Sequence, residues 1–192
     1  GIGGPGTTLS VIKANKIIPK VIEVIQTVGT LVIPATCPVC GAPTEVTESA
    51  SGTRTLHCTN ADCAAKQLRK FARFVSKAGA NIDGLSEQTI AKFINLGWVS
   101  EYADLYHMDE HALELSMMEG FGRKSVSNLL RSIEKARTVK ARQLLYALSI
   151  PLCGTDVCKR LLAAYTFDEL VAEASQADDP EHFAHIDGIG PK

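Results

Sequence analysis

Four of the six cysteines fall in two short-spaced pairs, Cys37-Pro38-Val39-Cys40 and Cys58-Thr59-Asn60-Ala61-Asp62-Cys63. Each pair can aim two thiolates at one point, and four thiolates complete the tetrahedral shell that zinc prefers. A shell closed by four sulfurs has no open position for water. An ion held there is therefore structural, organising a segment too small to fold alone. Gly41, directly after the second cysteine, permits the positive φ that such a knuckle needs. The alternative is a pair of disulfides, which a cytosolic helical protein disfavours, and His57 beside Cys58 is a substitute ligand. Cys153 and Cys158 lie on apolar helical positions and read as buried free thiols.

A second pattern recurs four times. Met118-Glu119-Gly120-Phe121-Gly122 precedes Arg123, Lys124 and an amphipathic run through Val126, Leu129, Leu130 and Ile133. Ile82-Asp83-Gly84-Leu85-Ser86, Ile150-Pro151-Leu152-Cys153-Gly154 and Ile186-Asp187-Gly188-Ile189-Gly190 stand in the same register at near-constant intervals. Such internal repetition is stronger evidence than any single match. A Gly-apolar-Gly turn between two short helices suits a phosphate. Glycine lets the backbone approach without a Cβ in the way, the apolar residue anchors the turn, and the next helix aims its free amides at the same oxygen. These contacts ignore base identity and give position on a duplex rather than sequence specificity. The backbone-contact candidates are Gly84, Gly120, Gly122, Arg123, Lys124, Gly154, Gly188, Gly190 and Lys192. The second copy should be strongest, combining both glycines with two cations, and Gly122 is expected to need φ > 0. Ser86 and Leu152 replace one glycine each in the first and third copies, which makes those weaker or purely structural. Ordinary packing glycines between helices are the competing explanation.

The elements that must position these residues are set by periodicity. From Thr8 to Val28 the β-branched content predicts two strands about the turn Ala14-Asn15-Lys16, with Pro19 at the start of the second strand, at an edge or at a bulge. Two strands cannot bury a core, so this pair reads as the tail of a larger β domain. After Cys63 the period becomes helical: Leu68, Phe71, Ala72 and Val75 make one apolar stripe. Thr166 with Glu169 forms a capping box, and Asp179 before Pro180 resembles an N-cap with proline at the first helical position. The expected fold is mainly α: a short hairpin, a four-cysteine finger, then many short helices. Gly1 to Gly6 is too glycine-rich for regular structure.

The 192 residues are 45% apolar with a formal net charge of -1, enough for one compact domain plus small modules. That total hides segregation. Lys66, Arg69, Lys70, Arg73 and Lys77 form one basic stretch, and Arg123, Lys124, Arg131, Lys135, Arg137, Lys140 and Arg142 another, opposed only by Glu134. From Asp168 to Asp187 the charge is entirely acidic. No run of about 18 apolar residues could cross a bilayer and no secretory start is present, so a cytoplasmic location without membrane contact is expected; the chain is expected to be a monomer, although nothing in the sequence fixes its oligomeric state.

Together these residues resemble the C-terminal half of the bacterial NAD-dependent DNA ligase family. The likeness is carried by Ile12-Lys13-Ala14-Asn15-Lys16-Ile17-Ile18-Pro19-Lys20-Val21, by the Cys37 to Cys63 knuckle, and by the four hairpins with Leu144-Leu145-Tyr146-Ala147-Leu148 before the third. The resemblance implies the end of an oligonucleotide-binding (OB) β-barrel over 1–33, a zinc finger over 34–66 and a helix-hairpin-helix domain over 67–192, its fourth motif cut short. It implies binding to nicked duplex DNA in replication and repair, by an enzyme that uses NAD. The family's nucleophilic lysine lies in a Lys-x-Asp-Gly motif. Asn81-Ile82-Asp83-Gly84 and His185-Ile186-Asp187-Gly188 match only its last residues, so these residues alone are expected neither to bind NAD nor to ligate. Another helix-hairpin-helix repair protein, or a zinc-ribbon interaction module without nucleic acid, remains an alternative.

Overall fold

The computed structural model describes residues 3–15, 17–49, 52–179 and 181–190. Gly1, Lys16, Pro180 and Lys192, named above, lie outside these. The chain divides into two compact units, Gly1–Cys63 and Ala64–Lys192.

In the first unit, β1 (Thr8–Ala14) pairs antiparallel with β2 (Ile18–Gln26). Asn15, at φ 49, takes the left-handed turn position that its short amide side chain tolerates. β2 starts one residue before Pro19, which faces Lys13. The proline's missing N–H is harmless there, because each strand of a two-stranded ribbon has an open edge. Val11, Ile12, Ile18, Ile22 and Ile25 are exposed, as a ribbon without a second layer requires. A second hairpin, β3 (Thr44–Glu48) with β4 (Arg54–Cys58), runs between the cysteine pairs. The sequence pattern does not anticipate it. Its Thr, Glu and Arg residues show no clear hydrophobic alternation, and the stretch is short and exposed on nearly every residue.

The second unit has, among the described residues, seven α-helices: α1 (Ala64–Val75), α2 (Glu87–Asn95), α3 (Ala112–Met117), α4 (Arg123–Ala136), α5 (Ala141–Ala147), α6 (Thr155–Ala164) and α7 (Phe167–Gln176). A ten-residue 3-10 helix, Tyr102–His111, leads into α3. The larger core gathers Phe71, Phe74, Ile90, Phe93, Leu115 and Leu129, with Phe74 stacked on Tyr102 at 4.4 Å. Leu145, Cys158, Leu161 and Leu170 form a second cluster under α5 to α7. The capping box forms as expected: the Thr166 hydroxyl accepts from the Glu169 amide at 3.3 Å, and the Glu169 carboxylate accepts from the Thr166 amide at 2.8 Å. Asp179 does accept from the Glu181 amide at 2.8 Å. Residues 181–185, however, form a turn rather than the expected helix.

Candidate metal centre and nucleic-acid interface

The first cysteine loop is closed by backbone bonds from Cys37 N to Ala42 O, 2.8 Å, and from Gly41 N to Cys37 O, 2.9 Å, with Gly41 at φ 72 as expected. The second is tied to the first by Thr59 N donating to Pro43 O at 3.0 Å. The Asn60 side chain accepts from the Asp62 amide at 2.9 Å and turns the chain toward Cys63. Four Sγ atoms, of Cys37, Cys40, Cys58 and Cys63, consequently lie within 4.8 Å of one another. Cys37 and Cys63 are 3.9 Å apart and Cys40 and Cys58 3.5 Å. A zinc–sulfur bond of about 2.3 Å implies a tetrahedral edge of about 3.8 Å, which these separations bracket. None of the six cysteines, all among the described residues, forms a disulfide, against the disulfide alternative. Backbone hydrogen bonding at Ala42 pulls the Cys40 thiol down to about 6, and the backbone of Cys40 and Val39 lowers Cys37. Desolvation pushes Cys58 up to about 11. His57 is engaged with the Thr55 hydroxyl at 2.8 Å. The four thiols form a group that could hold a metal ion.

The repeated turns share one backbone shape. Their third residue takes positive φ each time: Gly84 at 93, Gly120 at 87, Leu152 at 62 and Gly188 at 77. In three copies the fourth residue's amide closes the turn onto the first residue's carbonyl, at 3.0 Å for Phe121 to Met118, 3.1 Å for Cys153 to Ile150 and 3.0 Å for Ile189 to Ile186. The fifth residue is the N-cap of the next helix, at Ser86, Gly122 and Gly154. Two expectations change here. Gly122 has φ -102 and ψ 169, an extended conformation open to any residue, and the left-handed demand falls on Gly120. Cys153 lies in the turn rather than on a helix, although it is buried as expected.

The N-caps differ in what they leave open. Ser86 accepts the Thr89 amide through its own hydroxyl at 3.1 Å, so α2 is satisfied from within. Gly122 and Gly154 have no side chain to offer, and a Cβ built at either would meet nothing within 4 Å. The first amides of α4 and α6 thus have no side-chain cap.

Turns one and two line a single open cleft of about 530 Å³ with Ser86, Thr89, Lys92, Ser125 and Asn128. It brings Gly84 and Gly120 together. Arg123 and Lys124 are exposed on the first turn of α4, outside that lining. Turn four is held by Arg160, whose Nη1 donates to the Asp187 carbonyl at 2.7 Å. A Cβ at Gly188 would come within 2.6 Å of that guanidinium, whereas Gly190 is open.

Not every residue of the basic stretches faces solvent. Arg73 turns inward, its Nη2 donating to the Cys153 carbonyl at 3.2 Å and its guanidinium 4.2 Å above the Tyr146 ring. Arg137 donates to the Tyr106 carbonyl and to Glu134, both at 2.8 Å. Nothing in spacing separates these tying arginines, or Arg160, from their solvated neighbours.

No family model matches the chain. Over 187 residues, 97% of its length, it is 39% identical to a protein named DNA ligase from Ruminiclostridium cellulolyticum. It is 41% identical over 165 residues, 86% of its length, to a DNA ligase from Lachnoclostridium phytofermentans. Nearly end to end, the chain is similar to DNA ligases. A third relative of that name, from Psychrobacter sp., is 38% identical over 162 residues. The chain spans 28%, 25% and 23% of these three relatives. Among the described residues no helix is long and apolar enough to cross a membrane.

Proposed function

We propose that the chain is a duplex-DNA-binding part of an NAD-dependent DNA ligase, gripping the sugar-phosphate backbone around a nick without reading sequence. The carrying observation is the recurrence of one turn geometry, in two copies ahead of helices whose glycine N-caps offer no side-chain cap. Read as helix-hairpin-helix motifs, turns one and two would place two backbone-binding elements along one cleft. The Arg123 and Lys124 cations would add charge beside the amides of α4. Turn one contributes less, because Ser86 already occupies an amide that a phosphate would take.

Zinc fits the four-sulfur group by donor chemistry and spacing, and Cys37, Cys40, Cys58 and Cys63 would hold it. When bound it cross-links the two loops and supplies no reactive position. The chemistry of joining, with NAD as the AMP donor, is assigned to parts of the longer protein that carry the lysine nucleophile. The domain reading is an OB-barrel end over 1–33, the finger over 34–66 and the hairpin domain over 67–192. The experiment is fluorescence anisotropy of labelled nicked and intact duplexes of unrelated sequence, titrated with the chain as a monomer. Equal binding to different sequences supports the proposal, and no binding at low salt removes it.

A further inference from the structure

The residue before a helix N-cap and the fourth helical residue pack together when both are apolar, and so fix the angle at which the chain enters the helix. In copies one and two of the repeat these positions hold Leu85 with Ile90 and Phe121 with Val126, all in or against the larger core. Copy three holds two cysteines there, Cys153 before the N-cap Gly154 and Cys158 as the fourth residue of α6. Their Sγ atoms are 3.4 Å apart, and both are buried in the smaller core with Leu145, Leu161 and Leu170. The backbone on either side is held in place. Cys153 N donates to the Ile150 carbonyl at 3.1 Å and Cys158 N to the Gly154 carbonyl at 3.0 Å, while Arg73 donates to the Cys153 carbonyl. The other four cysteines belong to the first unit. A single cysteine at either position would serve as a small apolar side chain. Two in contact add what an apolar pair lacks, the capacity to form a bond.

We propose that Cys153 and Cys158 are a modification site, a dithiol that a hydroperoxide converts into a disulfide staple joining the third turn to α6. A disulfide holds its sulfurs at about 2 Å, so closure asks for a short approach by two side chains while their backbones stay in place. Cys153, 6% exposed against 0% for Cys158, is the sulfur that a small oxidant reaches first. Its thiolate attacks one peroxide oxygen, the O–O bond breaks and hydroxide leaves. That hydroxide and the thiol proton make one water, and Cys153 is left as a sulfenic acid. The Cys158 sulfur then displaces the sulfenic oxygen, which leaves with the Cys158 proton as a second water, and the S–S bond forms. Two electrons have passed from the sulfurs to the peroxide, and a dithiol reductant returns both thiols. Burial pushes the Cys153 thiol up to about 12, so the first step is slow at neutral pH. The staple therefore records sustained rather than brief exposure to oxidant.

The test treats the folded chain, supplied with zinc, with hydrogen peroxide, blocks the remaining thiols with N-ethylmaleimide as the chain is unfolded, and weighs the tryptic peptides. Cleavage after Arg142 and Lys159 releases 143–159, which carries Cys153 and Cys158 and no other cysteine. Met117, 71% exposed, reports through its sulfoxide that the oxidant has acted. The expected result is loss of the doubly blocked peptide and gain of an unblocked one lighter than its dithiol form by two hydrogens. Dithiothreitol before blocking should restore the doubly blocked peptide. Oxidant should also lower the melting temperature of the parent no more than that of Cys158→Val, which carries the residue found in copy two and cannot form the bond. A peptide still doubly blocked once Met117 is oxidised overturns the proposal. So does one that gains oxygen as a sulfinic acid in place of the bond, or one joined through Cys153 to a finger cysteine. A parent that oxidant destabilises more than Cys158→Val overturns it too, because the bond would then form only by breaking the turn.

Discussion

The two glycines of the second turn should fail differently when replaced. Gly120 has φ 87, so any side chain there strains the backbone even though a Cβ would meet nothing within 4 Å. The left-handed penalty of about 1–2 kcal/mol should lower the melting temperature of Gly120→Val by roughly 3–8 °C. Gly122 has an extended backbone and an equally open Cβ position. Gly122→Val therefore carries no left-handed strain, and its cost in urea melts should be about 0.5–1 kcal/mol, that of a poorer N-cap. Its isopropyl group would nevertheless cover the amides at the start of α4. Losing a hydrogen bond to a charged group, worth about 1.5–3 kcal/mol, corresponds to a roughly 10- to 150-fold loss of affinity for nicked duplex. Circular dichroism melts and anisotropy titrations on the same preparations separate the two effects. The reasoning is refuted if Gly122→Val melts earlier than Gly120→Val, or if it binds as well as the parent.

Three further predictions concern other parts of the chain. Elemental analysis of a reduced, chelator-free preparation should find one zinc per chain, and Cys58→Ser should lower that content and unfold the finger; a metal-free folded parent would contradict the assignment. Ser86→Gly should cost only a few tenths of a kcal/mol as an N-cap exchange yet strengthen duplex binding, because it frees the Thr89 amide now held by Ser86. Asp104 accepts from the amides of Glu101 and Ser100 and from the Ser100 hydroxyl, which hold its carboxyl below the usual range. Its contribution is thus present above the ordinary aspartate value, about 3.9, and is lost as pH falls through the folded value. The melting gap between parent and Asp104→Asn should be full at pH 7 and close in acid; a gap independent of pH would count against this cause.

The cysteine group was legible because short spacing within each pair and the chemistry of sulfur leave few geometries. The repeat was legible too. Residues aligned by letter at 84, 120, 152 and 188 share one backbone conformation, including the position where leucine stands. Less visible was the division of labour within each copy. Gly120 and Gly122 are the same letter, yet one answers a left-handed backbone and the other an uncapped helix start. Only the hydrogen-bonded turn, with Phe121 closing onto Met118, tells them apart. The β3–β4 hairpin escaped notice because exposed Thr, Glu and Arg on both faces carry no clear hydrophobic alternation. Nothing in the basic stretch set Arg73 apart, since its role depends on Tyr146 and Cys153, far along the chain.

The central claim, backbone binding without sequence reading, is tested most directly by the salt dependence of affinity for nicked duplex, measured in parallel for the parent and Lys124→Ala. Each neutralised phosphate adds about 0.9 to the slope of log affinity against log salt. The account predicts measurable parent binding at about 50 mM salt, a slope of several units unaffected by base sequence, and a reduction of about one unit in Lys124→Ala. A parent that does not bind at that salt, or whose slope is near zero or unchanged by Lys124→Ala, would contradict it.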